Sequence, residues 1–401
     1  MTFRRCAILL AIAALVACAP RPSSPPGPTA RIPDPQYLFL WTAAPDSTRP
    51  DYLAVLDVTE RGDSSYGRLV ATLDVPGRGN VPHHTEHEMP RSGRLFANGF
   101  GAGKTWIFDV SRPEAPRIAA ELGDVAGYRH PHSYLRLPNG NVLATFQMRH
   151  DSAGMRPGGL VELTDAGTVV RSQSADAPGL DAATRVYSAG IVPSLDRIVT
   201  TTTDMEGDGD ASRQLQIWRL SDLSLLGTIV LPNGPRGNES MYTAEPRVLE
   251  DGRTVLVSTF SCGLYLMEGL ETDAPSARLV ASFPEKEKTS CAIPVVAGHY
   301  YLVTVPAWSA VVSLDISDPA HPREVSRLTL GTGDVPHWVS LAPDRRRVVV
   351  TGYGAMENRV VMARFDPATG ALALDERFGP DSAGPGIAMD GVPHGAVFSR
   401  R

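Results

Sequence analysis

An all-β fold is predicted for this chain, because short runs of β-forming residues alternate with turn residues and no long amphipathic helix is evident. Strands that end in a charged or polar residue before a turn recur at intervals of about 47 to 57 residues. These strand ends lie at Asp57, Asp109, Glu162, Arg219, Glu268, Asp315 and Asp366. Seven such units, with four strands in each, predict a seven-bladed β-propeller.

The two ends of the chain are predicted to share the closing blade. The innermost strands of the seven units should begin near His83, His132, Tyr187, Glu245, Cys291, His337 and His394. The chain ends soon after the last of these, so the partners of that strand must be the strands within residues 36–75. The C-terminus then supplies one strand and the N-terminus three, which joins the two ends and removes free sheet edges.

The first 18 residues are predicted to be a bacterial lipoprotein signal peptide. A positively charged start precedes an apolar core, Cys6 to Val16, that is too short to span a bilayer. Cys18 is the expected site of lipidation, and Ala19 after it favours the outer membrane; a plain signal peptide cut near Ala19 is the alternative. Residues 19–35 are rich in Pro and Ser and predict an extended tether. Residues 36–401 then form the propeller.

These features predict a periplasmic monomer that contacts the membrane only through its N-terminal lipid. The formal net charge of −6 argues against a nucleic-acid partner, which requires a basic surface. The expected partner is a small-molecule substrate. Cys262 and Cys291 could pair in the oxidising periplasm or remain separate buried thiols, and Cys291 could also offer a thiolate ligand.

Four Pro-His pairs lie at the same phase of the repeat. Their spacings of 49, 205 and 57 residues correspond to one, four and one units. The pairs are Pro82-His83, Pro131-His132, Pro336-His337 and Pro393-His394. Innermost strands line the channel of a propeller, so side chains at equal phase converge, and each Pro restricts the backbone before its His. A metal site formed by these histidines is therefore predicted.

The first pair extends to a second histidine, His84. In a regular strand His83 and His84 would point to opposite faces, so they can share an ion only where the backbone is irregular. Neutral imidazoles suit copper, zinc, iron or nickel. Glu86 and Glu245 are predicted to orient the imidazoles or to act as acid/base groups. The off-phase histidines are expected at the surface: His150, His299 and His321.

These histidines stand within a longer pattern. The paired His is followed by RLFANGFGAGKTWIFDVSRPEAPRI, by PHSYLRLPNGNVLATF and, at the C-terminus, by VPHGAVFSRR. In this order the segments resemble the selenium-binding protein / methanethiol oxidase family over most of the mature chain. In that family the paired His, the His of the next blade and the His near the C-terminus are implicated in copper binding. The resemblance implies the ligands His83, His84, His132 and His394; His337 is added by the repeat phase alone.

The resemblance implies a copper-dependent oxidation of a small thiol such as methanethiol. That reaction consumes O₂ and water and releases formaldehyde, sulfide and hydrogen peroxide. Zinc or iron remains open as the metal. Two other functions also remain open: a non-enzymatic periplasmic metal carrier or scaffold, and a metal-dependent hydrolase or lyase that uses Glu245 with the histidines as acid and base.

Overall fold

The computed structural model describes residues 34–400 except 47, 62–63, 153, 179, 181–183, 206–211, 286–290 and 380–385. The predicted signal peptide, its Cys18 and nearly all of the predicted tether lie outside the described residues. Among the residues described, no helix has the length and apolar character needed to cross a membrane.

The described residues form a seven-bladed β-propeller, as predicted. The chain opens with β1 (Tyr37–Ala43), β2 (Tyr52–Asp57) and β3 (Arg68–Asp74). The first blade contains β4 (Pro82–Thr85), β5 (Arg94–Gly99), β6 (Lys104–Asp109) and β7 (Arg117–Leu122). The second blade contains β8 (Tyr128–Arg136), β9 (Val142–Asp151), β10 (Gly154–Leu163) and β11 (Val169–Ser174). The third blade contains β12 (Ala189–Val192), β13 (Arg197–Thr201), β14 (Gln214–Arg219) and β15 (Leu225–Val230).

Three further blades and the closing strand follow. The fourth blade contains β16 (Thr243–Val248), β17 (Val255–Thr259), β18 (Gly263–Glu268) and β19 (Ser276–Ser282). The fifth contains β20 (Val295–Ala297), β21 (Tyr300–Val305), β22 (Ala310–Asp315) and β23 (Arg323–Thr329). The sixth contains β24 (Asp334–Leu341), β25 (Arg347–Gly354), β26 (Arg359–Phe365) and β27 (Leu372–Leu374), with β28 (Ile387–Ala388) paired to β26. The last strand is β29 (Val392–Phe398).

The seventh blade closes the ring in the predicted way. Its strand order is β29-β1-β2-β3, so the C-terminus supplies the innermost strand and the N-terminus the other three. Leu38 pairs with Phe398 in antiparallel register. At the start of β1, the backbone N–H of Tyr37 donates to the hydroxyl of Ser399, the residue after β29, at 2.9 Å. These bonds join residues more than 350 positions apart and hold the ring closed.

The core lies between neighbouring blades, because the middle strands of a blade are buried on both faces. β1 is almost entirely buried, which explains its nearly continuous apolar sequence, YLFLWTA. Trp41 of the closing blade contacts Trp106 of the first blade, with ring centroids 5.6 Å apart. The outermost strand β7 instead alternates between exposed and half-buried residues. Each fully buried large apolar side chain stabilises the fold by about 1.5–3 kcal/mol, so the interfaces between blades hold the molecule together.

Cys262 and Cys291 form a disulfide bond, which settles a pairing that the sequence left open. Cys262 lies in the turn between β17 and β18, and Cys291 lies before β20, so the bond joins the fourth and fifth blades. Because its sulfur is bonded to Cys262, Cys291 is not available as a thiolate ligand.

Candidate metal centre

The innermost strands are bulged where they carry the predicted ligands. In the first blade Pro82 pairs with Gly99 and Thr85 with Ala97, so that His83 and His84 together oppose Asn98. A bulge of this kind bends the strand and re-aims its side chains. The rings of His83 and His84 accordingly stack on each other, with centroids 4.5 Å apart. The backbone irregularity that the sequence required for this pair is present.

The same irregularity recurs in other blades. The register of β8 shifts between Pro131 and Tyr134, and that of β24 shifts between Pro336 and Trp338. In β29 the register also shifts, at the residues that follow Pro393. All four Pro-His pairs therefore begin a bulge, and their shared phase brings the histidines to one end of the channel.

Buried polar side chains on the second strand of each blade hold these bulges. Asn98 accepts the backbone N–H of His84 at 2.6 Å and donates to the carbonyl of Pro131, in the next blade, at 2.8 Å. Thr351 of the sixth blade donates to the carbonyl of His394 in the closing blade at 2.7 Å. Each bond fixes the backbone of a candidate ligand from a neighbouring strand, which limits how far the imidazoles can separate.

A glycine permits the close approach of the closing blade to the first blade. A Cβ atom at Gly395 would lie 2.8 Å from the backbone nitrogen of Thr85 and 2.9 Å from the carbonyl oxygen of His83. Real Cβ atoms do not approach other atoms this closely. Gly395 therefore allows His394 to reach the two histidines of β4.

The structure brings together all five predicted histidines. Ring centroids lie 4.2 Å apart for His83 and His394, 4.2 Å for His84 and His132, and 4.9 Å for His337 and His394. His83, His84, His132 and His394 are buried, and His337 is half-buried. The three off-phase histidines lie at the surface, as predicted: His150, His299 and His321.

Two ring nitrogens face each other directly at the centre of the cluster. The Nε2 atoms of His83 and His132 are 3.1 Å apart. Their lone pairs would repel at this distance unless a proton or a cation lies between them. Two nitrogens that bind one tetrahedral ion at about 2.0 Å are separated by about 3.3 Å. The observed separation therefore suits two ligands of a single ion.

Ser133 orients two of the rings. Its hydroxyl oxygen lies 3.1 Å from Nδ1 of His132 and 3.3 Å from Nδ1 of His84. A hydroxyl oxygen has two lone pairs, so it can accept an N–H from both rings. Both Nε2 atoms are then free of protons, which is the state a ligand nitrogen requires.

Other ring nitrogens in the cluster lack hydrogen bonds within the part of the chain that the structure describes. They are Nε2 of His84, Nε2 of His337 and both ring nitrogens of His394. An unpartnered buried polar group costs about 1–3 kcal/mol. Several such groups aimed into one region indicate that the cluster binds something.

The imidazoles are neutral near pH 7. Burial, reinforced by the neighbouring imidazoles, holds the pKa values of His83, His84 and His337 well below the usual value for histidine. The pKa of His132 is lowered in the same direction, chiefly by burial. Burial lowers the pKa of His394 to about 4. Neutral imidazole is the form that binds transition metals, so the residues fit a copper, zinc or iron ion.

Glu245 lies beside this cluster. Its Oε2 accepts hydrogen bonds from Ser188 at 2.8 Å and Arg247 at 2.6 Å, whereas its buried Oε1 has no partner among the described residues. Oε1 lies 4.0 Å from Nδ1 of His84. Burial raises the pKa of the Glu245 carboxyl. Glu245 is thus placed to act on His84 electrostatically, in the orienting role that the sequence suggested.

A second possible cation site next to Glu245 is not supported by its surroundings. Ligand atoms of His84, His87 and Glu245 lie within 4.8 Å of one another. However, Arg247 donates to Nε2 of His87 at 3.1 Å as well as to Glu245. Its guanidinium therefore already supplies the positive charge that a second ion would bring, and it would repel that ion.

Glu86 faces away from the histidines. Its Oε1 accepts Nε of Arg136 at 2.6 Å, and its Oε2 accepts the backbone N–H of Phe96 at 3.0 Å. Burial raises the pKa of this carboxyl to about 7 although Arg136 opposes the shift. The structure thus places Glu86 in an ion pair between the first and second blades, and it does not bring this predicted acid/base group to the cluster.

Three neighbours of the cluster were not identified as site residues from the sequence. Tyr187 packs at a tilt against His132, with ring centroids 3.8 Å apart. Trp338 stacks on His87 at 4.7 Å, and Arg247 binds Glu245. The repeat phase could have identified Tyr187 as a site residue, since it lies just before an innermost strand. Arg247 has no comparable signal, because its partner His87 lies 160 residues away.

Fold and site together define a seven-bladed β-propeller with a buried, neutral histidine cluster at one end of its channel. No family model and no curated protein matches the sequence. The fold is similar to that of a protein from Sulfolobus tokodaii described as a hypothetical selenium-binding protein, with a TM-score of 0.73, 16% identity, and coverage of 91% of this chain and 93% of the other. It is also similar to the periplasmic gluconolactonase PpgL of Pseudomonas aeruginosa, with a TM-score of 0.64, 13% identity, and coverage of 92% and 99%. At these identities the similarity establishes the propeller fold alone.

Proposed function

We propose that this protein is a copper-binding propeller that oxidises a small thiol or related reduced substrate at its histidine cluster. The observation that supports this most directly is the convergence of five imidazoles, with Nε2 atoms of His83 and His132 only 3.1 Å apart. The resemblance of the sequence to the selenium-binding protein / methanethiol oxidase family supports the reaction. A selenium-binding protein among the structures of similar fold is consistent with it.

The protein's own residues provide a preorganised, dry binding site. The bulges and hydrogen bonds of the innermost strands fix the imidazoles, and Ser133 directs Nε2 of His84 and His132 to the centre. Glu245 favours the N–H at Nδ1 of His84, because its Oε1 lies 4.0 Å away. Copper, when bound, would supply the redox chemistry by which O₂ accepts electrons from the thiol.

The ligand set supports copper as the proposed metal. Neutral imidazole nitrogens suit copper, zinc and iron alike, and among divalent ions copper binds such sites most tightly. Neither cysteine of the propeller provides a thiolate, since they form a disulfide with each other. Zinc or iron in place of copper would preserve the ligand assignment and change the chemistry.

We further propose a periplasmic location with a lipid anchor at Cys18. The disulfide between Cys262 and Cys291 supports an oxidising compartment, because such bonds are rare in the reducing cytosol. Tritiated palmitate labelling of cells that express the full chain tests the anchor, and Cys18→Ala should abolish the label.

Metal content is the first test. The protein purified from its native compartment should contain about one copper ion per chain by elemental analysis. The double variant His132→Ala/His394→Ala should lose the ion. A matched control, His299→Ala/His321→Ala, removes two exposed histidines and should retain it. Equal copper content in both double variants would contradict the ligand assignment.

Turnover is the second test. Copper-loaded protein should consume O₂ when methanethiol is added and should release sulfide and hydrogen peroxide. The His132→Ala/His394→Ala variant should not. Copper-loaded protein that consumes no O₂ with thiols would contradict the oxidase and leave the metal carrier or scaffold and the hydrolase or lyase as candidates.

A metal-dependent hydrolase or lyase is the second candidate, favoured by one observation. Glu245 is a buried carboxyl with a raised pKa and an unpartnered oxygen beside His84, which suits a general acid or base. The gluconolactonase of similar fold makes lactones the substrates to test. Zinc-loaded protein that hydrolyses gluconolactone, with loss of this activity in Glu245→Gln, would favour this function over the oxidase.

A further inference from the structure

Aromatic side chains from four blades contact the histidine cluster. Phe100 lies 5.9 Å from His83, and Tyr353 lies 4.9 Å from His337, as ring-centroid distances. Tyr187 and Phe260 belong to the third and fourth blades, and their ring centroids are 5.5 Å apart. We call these four residues the aromatic rim: Phe100, Tyr187, Phe260 and Tyr353. The rim places aromatic rings beside the cluster, on which an apolar part of a ligand could pack.

Tyr187 differs from the rest of the rim in having a buried hydroxyl without a partner. The residue is fully buried, and its hydroxyl has no hydrogen bond to any described residue. Its ring packs at a tilt of 38° against that of the candidate ligand His132, with centroids 3.8 Å apart, so the residue borders the cluster directly. A buried hydroxyl is expected to find a partner, and a ligand at the cluster would provide one.

The backbone of Tyr187 is fixed on both sides. Its carbonyl oxygen accepts the hydroxyl of Thr145, in the preceding blade, at 2.7 Å. Its N–H donates to the carbonyl of Thr201, in its own blade, at 2.9 Å. The ring is thus held in place before any ligand binds, which lowers the entropy cost of binding.

Positive charge beside the site is already neutralised. Arg247 donates to Glu245, to His87 and to the carbonyls of Pro246 and Pro294. In the metal-free site an anionic ligand would therefore bring a charge with no free cationic side chain to receive it among the contacts described here, whereas a bound metal ion would itself attract an anion. Burying such a charge unpaired is costly.

We propose that Tyr187 is a substrate-positioning residue whose hydroxyl donates a hydrogen bond to a small neutral ligand at the cluster. The ligand class is a molecule with one sulfur or oxygen atom that can accept a hydrogen bond and an apolar remainder that fits inside the aromatic rim. This inference rests on the proposed histidine centre as the binding site, and it adds the donor and, for the metal-free site, the preference for neutral over anionic ligands.

Calorimetric titration of methanethiol into zinc-loaded and metal-free protein tests this inference. Zinc prevents oxidation during the titration. Loss of one neutral hydrogen bond should weaken binding to Tyr187→Phe by about 3- to 10-fold. The matched control Tyr300→Phe removes the hydroxyl of another buried tyrosine, which lies between the fifth and sixth blades, and should bind like the wild type. In the metal-free protein mercaptoacetate, an anion at pH 7, should bind at least about 10-fold more weakly than methanethiol; the comparison uses this form because a bound zinc ion would itself attract the anion.

The outcomes separate this inference from the proposed function. Wild-type protein that takes up no metal contradicts the copper centre, and the titrations of metal-free protein still test Tyr187. Equal affinity of wild type and Tyr187→Phe in both forms would overturn the role of Tyr187, whatever the metal content. Failure of methanethiol to bind either form, or mercaptoacetate binding to the metal-free form as tightly as methanethiol, would overturn it as well.

Discussion

The hydroxyl of Thr351, in the sixth blade, donates a 2.7 Å hydrogen bond to the backbone carbonyl of His394, in the closing blade. The bond crosses the junction between two sheets and ends on a candidate metal ligand. Asn98 makes the corresponding bond from the first blade to the second, and Thr145 makes it from the second to the third. The ligand positions are thus coupled to the packing of the blades.

Thr351→Val should lower both stability and metal affinity. The substitution preserves shape but leaves the carbonyl of His394 without this donor, at a cost of about 1 kcal/mol in the free energy of unfolding. Urea denaturation and copper competition titrations measure the two effects. Thr200→Val is the control: it removes the buried hydroxyl that accepts the indole N–H of Trp218 at 2.9 Å within the third blade, away from the candidate ligands, and should lose similar stability but keep its metal affinity. Equal metal affinity of both variants and the wild type would contradict the coupling.

Glu245→Gln should weaken metal binding without removing a ligand. The carboxylate orients His84 through charge, and loss of such an outer partner typically lowers metal affinity about 10- to 100-fold. The comparison is Glu86→Gln, which alters a buried carboxyl bound to Arg136 rather than to the cluster. Glu86→Gln should lower the melting temperature and leave the metal affinity unchanged. A loss of metal affinity in Glu86→Gln would contradict the conclusion that Glu86 does not act on the histidine cluster.

Gly395→Ala should separate the closing blade from the first blade at the metal centre. The added Cβ would lie 2.8 Å from the backbone nitrogen of Thr85, so the strands must move. Overpacking of this kind costs about 1–3 kcal/mol. Melting temperature and copper content should both fall. Gly227→Ala is the control, because its added Cβ meets no atom within 4 Å, and it should preserve both.

The repeat made the fold and the gathering of histidines predictable from sequence. A repeat fixes which residue of each blade begins the innermost strand, and equal phase was enough to place His132, His337 and His394 together. The contacts between blades were not predictable in the same way. Glu86 follows His84 by two positions, yet its orientation depends on Arg136, 50 residues away. No local pattern indicates such a partner, so the sequence assigned Glu86 to the wrong surroundings.

Removal of the disulfide should lower stability and leave the metal centre intact. The bond between Cys262 and Cys291 closes a loop with a sequence separation of 29 residues, for which chain entropy predicts about 3–4 kcal/mol. Cys262→Ser/Cys291→Ser should therefore unfold at lower urea concentration with an unchanged copper content. Dithiothreitol should reduce the stability of the wild type to a similar level and have no effect on the double variant. Loss of copper in the double variant would contradict the separation of the two sites.

The metal-free protein should lose stability as the pH falls below about 6.5. The pKa of His394 is about 4 in the folded chain and about 6.5 in the unfolded chain. Between these two pH values the unfolded chain binds a proton that the folded chain does not, so the free energy of unfolding decreases as the pH falls. This group alone accounts for about 3 kcal/mol. The four other histidines of the cluster act in the same direction, and the raised pKa values of the Glu86 and Glu245 carboxyls oppose them. Urea denaturation of chelator-treated protein from pH 7.5 to 5.0 should show this loss, with a smaller slope for His394→Asn and no change for His299→Ala. A flat profile across that range would mean that the cluster is not buried in its neutral form.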